Sequence, residues 1–385
     1  MIYTLIAIVL FLLVRGAYYI FHPTLFAKPM GKYAIGTVSY WVTDPDREEI
    51  FITDKHQARQ IPIQVWSPAE KTSQSDYAPY IPEATKVSEA ISELLHIPKA
   101  LLYPLQFKRS NALEKVPISN EKGQYPVLLY LTGLYGHRCI STFQIQELVS
   151  QGYIVVGIDC PMAVALATFS DSSTLQSQPR SVIDPMLNDS LTEENPLLSY
   201  NGKTFEGGLI AYFAKDVSRV IDFLTALHTD DPHHLLANRL NMDKLGAFGV
   251  SLGGVIVSEA SWKDRRIKAS LIMESPIPKK IAQTGLPVPT MVITRPAEAM
   301  RTERERSGGW TESDIQEHLS TMENLCKNTP ESEFVQIPDI FHVDFTDAPL
   351  WVPFPHLLGF SGKTPIEETH HKLNELTLTF FEKHL

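Results

Sequence analysis

The sequence predicts an α/β protein with a mostly parallel central sheet and helices on both faces. Two observations support this fold class. From Tyr125 onward, short apolar runs alternate with longer amphipathic segments, which is typical of parallel strands joined by crossover helices. The 385 residues are also 44% hydrophobic and 20% charged, which is enough apolar material for one large core. We therefore expect residues 29–385 to form a single domain.

The sheet is predicted to open with two antiparallel strands at residues 36–41 and 61–66, which are rich in β-branched residues. Residues 69–120 lose this pattern, so we expect a helical insertion over the sheet. Residues 161–207 lack clear periodicity, and a connection this long is typical of a lid, a binding loop or a disordered segment. Further strands are expected at 127–131, 154–158, 245–248, 270–273, 290–293 and 333–337, and further helices at 87–95, 142–151, 208–228, 311–328 and from 252 and 366.

The N-terminus is an apolar segment that is uncharged up to Val14 and continues after Arg15 to Phe21. It lacks the basic residues that precede the core of a secretory signal, and it has no clear small-residue cleavage site. Crossing a bilayer takes about twenty apolar residues, which this segment reaches only if Arg15 lies at an interface. We expect residues 1–22 to be a membrane anchor or an export signal, with a buried core helix as the third reading, and the protein to be membrane-anchored or exported.

Charge and cysteine usage exclude several classes of protein. A formal net charge of -10 without a basic stripe argues against nucleic acid as a partner. The three cysteines form no Cys-x-x-Cys pair, which makes a disulfide framework improbable. The sequence contains no His-Glu-x-x-His motif and no aspartate cluster, so neither a metal nor a cofactor is expected.

The most specific motif lies in residues 245–254, where a short apolar strand is predicted to end in the Gly-x-Ser-x-Gly run Gly249 to Gly253. An apolar helix is expected to follow. This arrangement is typical of a nucleophile elbow, in which glycines allow a turn tight enough to lift the serine out of the sheet. The five residues alone are weak evidence, but their strand and helix context is strong. We predict an α/β-hydrolase fold with Ser251 as the nucleophile.

A serine nucleophile needs an imidazole base, and in this fold the base follows the last strands of the sheet. His342 lies five residues after the strand predicted at 333–337, which is the expected position. The imidazole in turn needs a carboxylate to orient it. Glu274 ends the strand that follows the nucleophile helix and is the favoured acid, while Glu298, after the next strand, is the alternative. Asp344 lies next to the base in sequence, but a role in capping its loop is the stronger reading.

The tetrahedral intermediate of ester hydrolysis needs two main-chain donors for its oxyanion. One comes from the residue after the nucleophile, which is Leu252. The other comes from the loop after the third strand, where Gly133 and Gly136 flank Leu134 and free its backbone to face a pocket. A plain turn is the alternative reading of this loop.

With these residues assembled, the chain resembles the plasma-type platelet-activating factor acetylhydrolases and their bacterial α/β-hydrolase relatives. The resemblance implies hydrolysis of short or oxidised acyl groups at the sn-2 position of phospholipids without calcium. It also favours Glu274 as the acid, because the family's acid follows the strand after the nucleophile. The segments that carry the resemblance are residues 29–36, 61–69, 125–130, 133–136, 151–156 and 342–347.

The chain departs from the family at three positions. Thr132 and Val250 stand where the family usually has histidines, and Glu274 stands where its acid is aspartate. Neither histidine is needed for proton transfer, so the departures bear on substrate and rate. The apolar, proline-rich run at 349–360 could line an acyl pocket or touch a membrane surface, which favours lipid esters. A carboxylesterase, lipase or polyester hydrolase, and an inactive binding protein of the same fold, remain alternative hypotheses.

Overall fold

The computed structural model describes residues 2–52, 57–70 and 77–385. A ten-stranded sheet runs through it, formed by β1 (Ala34–Glu48), β2 (Ala58–Ala69), β3 (Tyr77–Pro79), β4 (Arg109–Glu114), β5 (Tyr125–Leu131), β6 (Ile154–Ile158), β11 (Leu240–Val250), β12 (Ala269–Met273), β13 (Thr290–Thr294) and β14 (Ser332–Gln336). The strands follow one another across the sheet in the order β14-β13-β12-β11-β5-β6-β2-β1-β4-β3. The six strands from β14 to β6 are parallel, and β2 pairs antiparallel with both β6 and β1.

The described helices are α1 (Ile2–Phe21), α2 (Ala84–Leu95), α3 (Lys99–Leu102), α4 (Thr142–Ser150), α5 (Arg180–Thr192), α6 (Gly208–Leu227), α7 (Leu252–Lys263), α8 (Lys279–Thr284), α9 (Ala297–Ser307), α10 (Glu312–Asn328) and α11 (Ile366–His384). Helices α4 and α11 pack together against the sheet, α6 and α7 form a second pair, and α10 packs against β13 and β14. Strands β6, β12 and β13 are buried along their whole length, which explains why their sequences are continuous apolar runs without alternation. The predicted mostly parallel α/β-hydrolase fold is confirmed.

The expectation for residues 69–120 was wrong in part. The segment contains the expected helix α2, but it also supplies β3 and β4 to the sheet, where β4 pairs parallel with β1. Both strands are short and complete one side of the sheet, with β3 at the edge and β4 between β3 and β1. Edge strands of this kind need no continuous apolar run, so the sequence pattern did not reveal them.

Residues 161–207 contain regular secondary structure and are not a disordered loop, while a role as a lid or binding loop stays a prediction. They form helix α5 and two small hairpins, β7 (Leu166–Thr168) with β8 (Thr174–Gln176) and β9 (Leu197–Tyr200) with β10 (Lys203–Glu206). The four strands are only three or four residues long, and α5 contains Pro185 in its interior, which hides their periodicity in the sequence.

The apolar N-terminal segment forms α1, which contacts the body of the protein at its C-terminal end. There the Phe21 ring lies 5.0 Å from that of Phe107, and the Lys108 ammonium donates a hydrogen bond to the carbonyl of His22. Across the described parts of the chain, no helix meets both the length and the apolarity needed to cross a membrane.

Candidate active site

Ser251 occupies a sharp turn between β11 and α7. Its backbone angles, φ 55° and ψ -126°, lie outside the regions that residues with a side chain normally adopt, and such strain is characteristic of functional sites. The turn is held by four hydrogen bonds: the Ser251 N–H donates to the carbonyl of Met273, and its own carbonyl accepts from Gly254 N, Val255 N and Ser275 Oγ. This is the geometry of a nucleophile elbow.

The glycines of the motif are required by close approach of main-chain atoms. A Cβ on Gly249 would lie 2.5 Å from the carbonyl carbon of Gly253, and a Cβ on Gly253 would lie 2.1 Å from the carbonyl oxygen of Leu131. A Cβ on Gly133 would lie 3.0 Å from that of Ser251. Any side chain at Gly249 or Gly253 would push the strand, the helix or the oxyanion loop away from the serine.

Ser251 and His342 open onto the same cavity, which has a volume of about 570 Å³. Its floor includes the loop from Thr132 to Gly136, and its walls come from the segment that contains α2 and α3 and from the chain after His342. The rest of the lining consists of the polar residues His96, Arg180 and Thr346 and of the apolar residues Ile91, Leu95, Ile97, Pro98, Leu101, Leu102, Ile140, Val250, Val343, Ala348, Trp351, Val352, Leu358 and Phe360. The site can therefore hold an apolar group beside the serine.

Glu274 and His342 face each other, although they lie 68 positions apart in sequence. The Glu274 Oε1 atom is 3.8 Å from His342 Nδ1, which is an ion-pair distance but too long for a hydrogen bond. Within the described residues, Nδ1 has no other polar partner. Glu274 is fully buried and the His342 side chain is one-third exposed. The imidazole thus lies between a buried carboxylate and the cavity, as a general base requires.

The Glu274 carboxylate is held on both of its oxygens. Arg295 Nε donates to Oε1 over 2.6 Å, and Thr294 Oγ1 donates to Oε2 over 2.7 Å. Burial alone would raise the pKa of Glu274, but the Arg295 guanidinium, with His342 and His318 nearby, lowers it below its usual range. Glu274 is therefore ionised in the folded protein at neutral pH.

The other two carboxylates considered from the sequence lie elsewhere. Glu298 lies in α9 with its side chain 79% exposed and paired with Arg301 at 3.6 Å. Asp344 is buried and its Oδ2 accepts hydrogen bonds from the main-chain N–H groups of Phe341 and Gly362. The structure thus places Glu274 beside His342, while Glu298 lies at the surface and Asp344 stabilises its own loop through hydrogen bonds.

The two expected oxyanion donors lie at the ends of adjacent strands, Leu134 after β5 and Leu252 after β11. Neither main-chain N–H is engaged by a main-chain carbonyl in the part of the chain that the structure describes. The following residue, Tyr135, has φ 63°, and its own N–H donates to Ala163. The loop is therefore turned so that Leu134 lines the cavity beside Ser251.

Three residues at the site were not anticipated from the sequence: Arg295, Glu303 and His318. Arg295 is fully buried and also contacts Glu303, whose Oε1 accepts from the His342 N–H over 3.3 Å. His318 Nε2 lies 3.8 Å from Glu274 Oε1, and burial lowers the pKa of His318 to about 4. An arginine directly after an apolar strand was the one signal available, because a buried cation there requires a carboxylate partner.

Fold and site together define an α/β-hydrolase with a nucleophile elbow. The sequence model of the family "Platelet-activating factor acetylhydrolase, isoform II" matches residues 20–197, somewhat under half of the chain. The platelet-activating factor acetylhydrolase of Cavia porcellus is 24% identical over 271 residues, which are 68% of this chain and 58% of that protein. The chain thus aligns with less than two thirds of the relative's length. The predicted resemblance to these acetylhydrolases is confirmed.

Among solved structures, the ferulic acid esterase from Streptomyces cinnamoneus is similar over most of its length. The two structures superpose with a TM-score of 0.71 over 94% of this chain and 93% of the esterase, at 19% sequence identity. At this identity the likeness concerns the fold. The family match ends before Ser251, so the roles of Ser251, Glu274 and His342 rest on the geometry of this chain.

Proposed function

We propose that the protein is a serine esterase that cleaves carboxylic esters through an acyl-enzyme, with Ser251 as nucleophile, His342 as base and Glu274 as acid. One observation carries the proposal. Ser251, strained at the elbow, shares a cavity with His342, and the buried Glu274 carboxylate lies on the Nδ1 side of that imidazole. The family match supports ester hydrolysis as the chemistry.

In the proposed reaction, His342 removes the proton from Ser251 Oγ as the oxygen attacks the ester carbonyl carbon. The oxyanion that forms accepts hydrogen bonds from the N–H groups of Leu134 and Leu252. Collapse of the intermediate breaks the ester C–O bond, and the imidazolium returns its proton to the departing alcohol. A water molecule, deprotonated by His342, then cleaves the acyl-enzyme and restores the serine.

The substrate class we propose is phospholipid with a short or oxidised sn-2 acyl group. The family match and the mainly apolar cavity support it. Val250 and Thr132, which replace family histidines, both line the cavity. These replacements change the wall nearest the nucleophile, so acyl preference is where this chain is expected to differ from its relatives.

We further propose that the cavity mouth works at a lipid surface, and that the protein is membrane-anchored or exported. Large exposed apolar side chains line the cavity from two segments: Leu95 and Leu101 on the α2–α3 side, and Leu358, which is preceded by the exposed Leu357, on the other. Apolar side chains grouped at the entrance to a site are typical of contact with an apolar partner. The exposed face of α1 adds to the apolar surface of the protein.

Two measurements test the proposal. A fluorophosphonate should label the wild-type protein and fail to label Ser251→Ala. Absence of labelling in the folded wild type would contradict the esterase proposal and favour the hypothesis of an inactive binding protein. An acyl-length series on vesicle and water-soluble esters then separates the substrate classes. A phospholipase of the proposed kind hydrolyses short-chain phospholipid vesicles faster than matched soluble esters, whereas a general carboxylesterase or polyester hydrolase shows no such gain.

A further inference from the structure

The buried surroundings of Glu274 contain a cation that a serine–histidine–acid arrangement does not itself require. Arg295 follows β13 directly, is fully buried, and donates from Nε to the same oxygen, Oε1, that faces His342. A buried guanidinium beside the acid reduces the carboxylate's attraction for the imidazolium, which is unfavourable for catalysis by itself. Its presence at this position therefore calls for another explanation.

The length of the acid supplies that explanation. The acetylhydrolase family has aspartate at this position, and glutamate has one more rotatable bond. The carboxylate of Glu274 can therefore adopt more orientations than that of an aspartate. Two histidines compete for it: His318 Nε2 and His342 Nδ1 both lie 3.8 Å from Oε1. Thr294 and Arg295 each fix one carboxylate oxygen, so the side chain has a single orientation.

Thr294 and Arg295 together form a clamp on the Glu274 carboxylate, and Glu303 connects this clamp to His342. One carboxylate oxygen of Glu303 contacts Arg295 Nη1, and the other accepts a hydrogen bond from the main-chain N–H of His342. Arg295 thus links the acid to the backbone of the residue that the acid must orient. The negative charge of Glu303 also offsets the positive charge of Arg295.

We propose that Arg295 is a positioning residue that fixes Glu274 toward His342 and, through Glu303, sets the distance between the acid and the base. The inference rests on the proposed function of the same site. Arg295 does not line the cavity, so it acts through Glu274 and not on the substrate. The charged and titratable groups that face this cluster come from every element packed around it: Glu274, Arg295, Glu303 of α9, His318 of α10, and His342 and Asp344 of the short helix after β14.

The test compares Arg295→Lys, Arg295→Met and Thr294→Val, each normalised to the fraction of protein that a fluorophosphonate labels. Loss of the clamp should lower kcat per labelled site by about 10- to 100-fold in all three variants, with KM within about twofold of wild type. Only Arg295→Met removes the positive charge. The acid limb of its pH–rate profile should therefore move up by about one pH unit, while the limbs of the other two variants stay in place.

The matched control is Arg59→Lys. Arg59 is equally buried and pairs with Glu49 and Asp216, none of which lines the cavity. It should lose stability but keep kcat per labelled site and its pH profile. If the Arg295 variants behave like this control, Arg295 has only a structural role and the proposal is overturned.

A second readout does not depend on hydrolysis. The proton NMR signal of the His342 imidazole, identified by its absence in His342→Asn, should change its chemical shift in Arg295→Met and Thr294→Val, because the Glu274 carboxylate that faces Nδ1 is no longer fixed. An unchanged chemical shift in both variants would contradict the proposal even in a protein that is not an esterase. Failure of the wild type to react with fluorophosphonate would instead contradict the proposed function alone.

Discussion

Replacing Asp344 by asparagine should stabilise the protein at alkaline pH. The Asp344 carboxyl is buried next to the base, and burial raises its pKa to about 6 from an ordinary value of 3.8, with Glu303 adding to the effect. Its Oδ2 accepts from Phe341 N over 2.7 Å and Gly362 N over 2.8 Å, whereas Oδ1 has no polar partner among the described residues. An asparagine can keep both hydrogen bonds through its one carbonyl oxygen.

The direction and size of the effect follow from proton linkage. Because the folded state holds the proton more tightly, the stability contributed by Asp344 is complete below about pH 4 and falls as the pH rises through 6. At about 1.4 kcal/mol for each tenfold change in proton affinity, the ionised carboxyl costs about 3 kcal/mol at pH 8. In the variant, the buried amide NH₂ of asparagine has no hydrogen-bond partner, which costs roughly 1 kcal/mol. The variant is therefore expected to be about 2 kcal/mol more stable than wild type at pH 8.

Urea unfolding of wild type and Asp344→Asn at pH 4.5, 6 and 8 measures this difference directly. The free energy of unfolding of the variant should exceed that of wild type at pH 8, and the gap should shrink as the pH falls. A variant that is less stable than wild type by more than about 1 kcal/mol at pH 8 would mean that the ionised carboxylate stabilises its loop, and would refute the reasoning.

Three further outcomes are expected. Glu274→Gln should lose roughly 10³–10⁴ in kcat because a neutral amide cannot stabilise the imidazolium, while the exposed Glu298→Gln keeps wild-type kinetics. Gly253→Ala should abolish fluorophosphonate labelling, since its Cβ would meet a main-chain oxygen at 2.1 Å, whereas Gly123→Ala, with open space around it, should label normally. Asp347→Asn should lower the free energy of unfolding in urea by about 1–3 kcal/mol. Burial raises the pKa of Asp347 as it does that of Asp344, but both oxygens of Asp347 accept hydrogen bonds, from two N–H groups at the start of α4 and from a tyrosine hydroxyl, so the amide NH₂ of asparagine would face a donor; an unchanged value would show that these bonds contribute nothing.

The sequence was most informative where backbone geometry restricts residue type. The turn at Ser251 tolerates only glycine at two neighbouring positions, so the motif could be read without a structure. Glu274 and His342 were predicted because parallel strands bring their carboxyl ends to one edge of the sheet. Their roles as acid and base remain predictions, but the two side chains do face each other.

The surroundings of the acid could not be predicted in the same way. The Glu274 cluster joins Arg295, Glu303 and His318 from three different elements, and such contacts depend on side-chain packing that leaves no periodic signal. Helix α9 was missed for a related reason: its sequence is almost entirely polar, so it lacks the apolar stripe by which an amphipathic helix is recognised.

Peptide mass spectrometry of the acyl-enzyme tests the central claim most directly. The protein is mixed with a short-chain ester, quenched in acid within the first turnovers, digested and mapped. We predict an acyl adduct on the peptide that contains Ser251, its absence in Ser251→Ala, and its slower formation in His342→Ala and Glu274→Gln. Ester hydrolysis without an adduct on Ser251, or an adduct that forms at the wild-type rate in the His342 and Glu274 variants, would contradict the account.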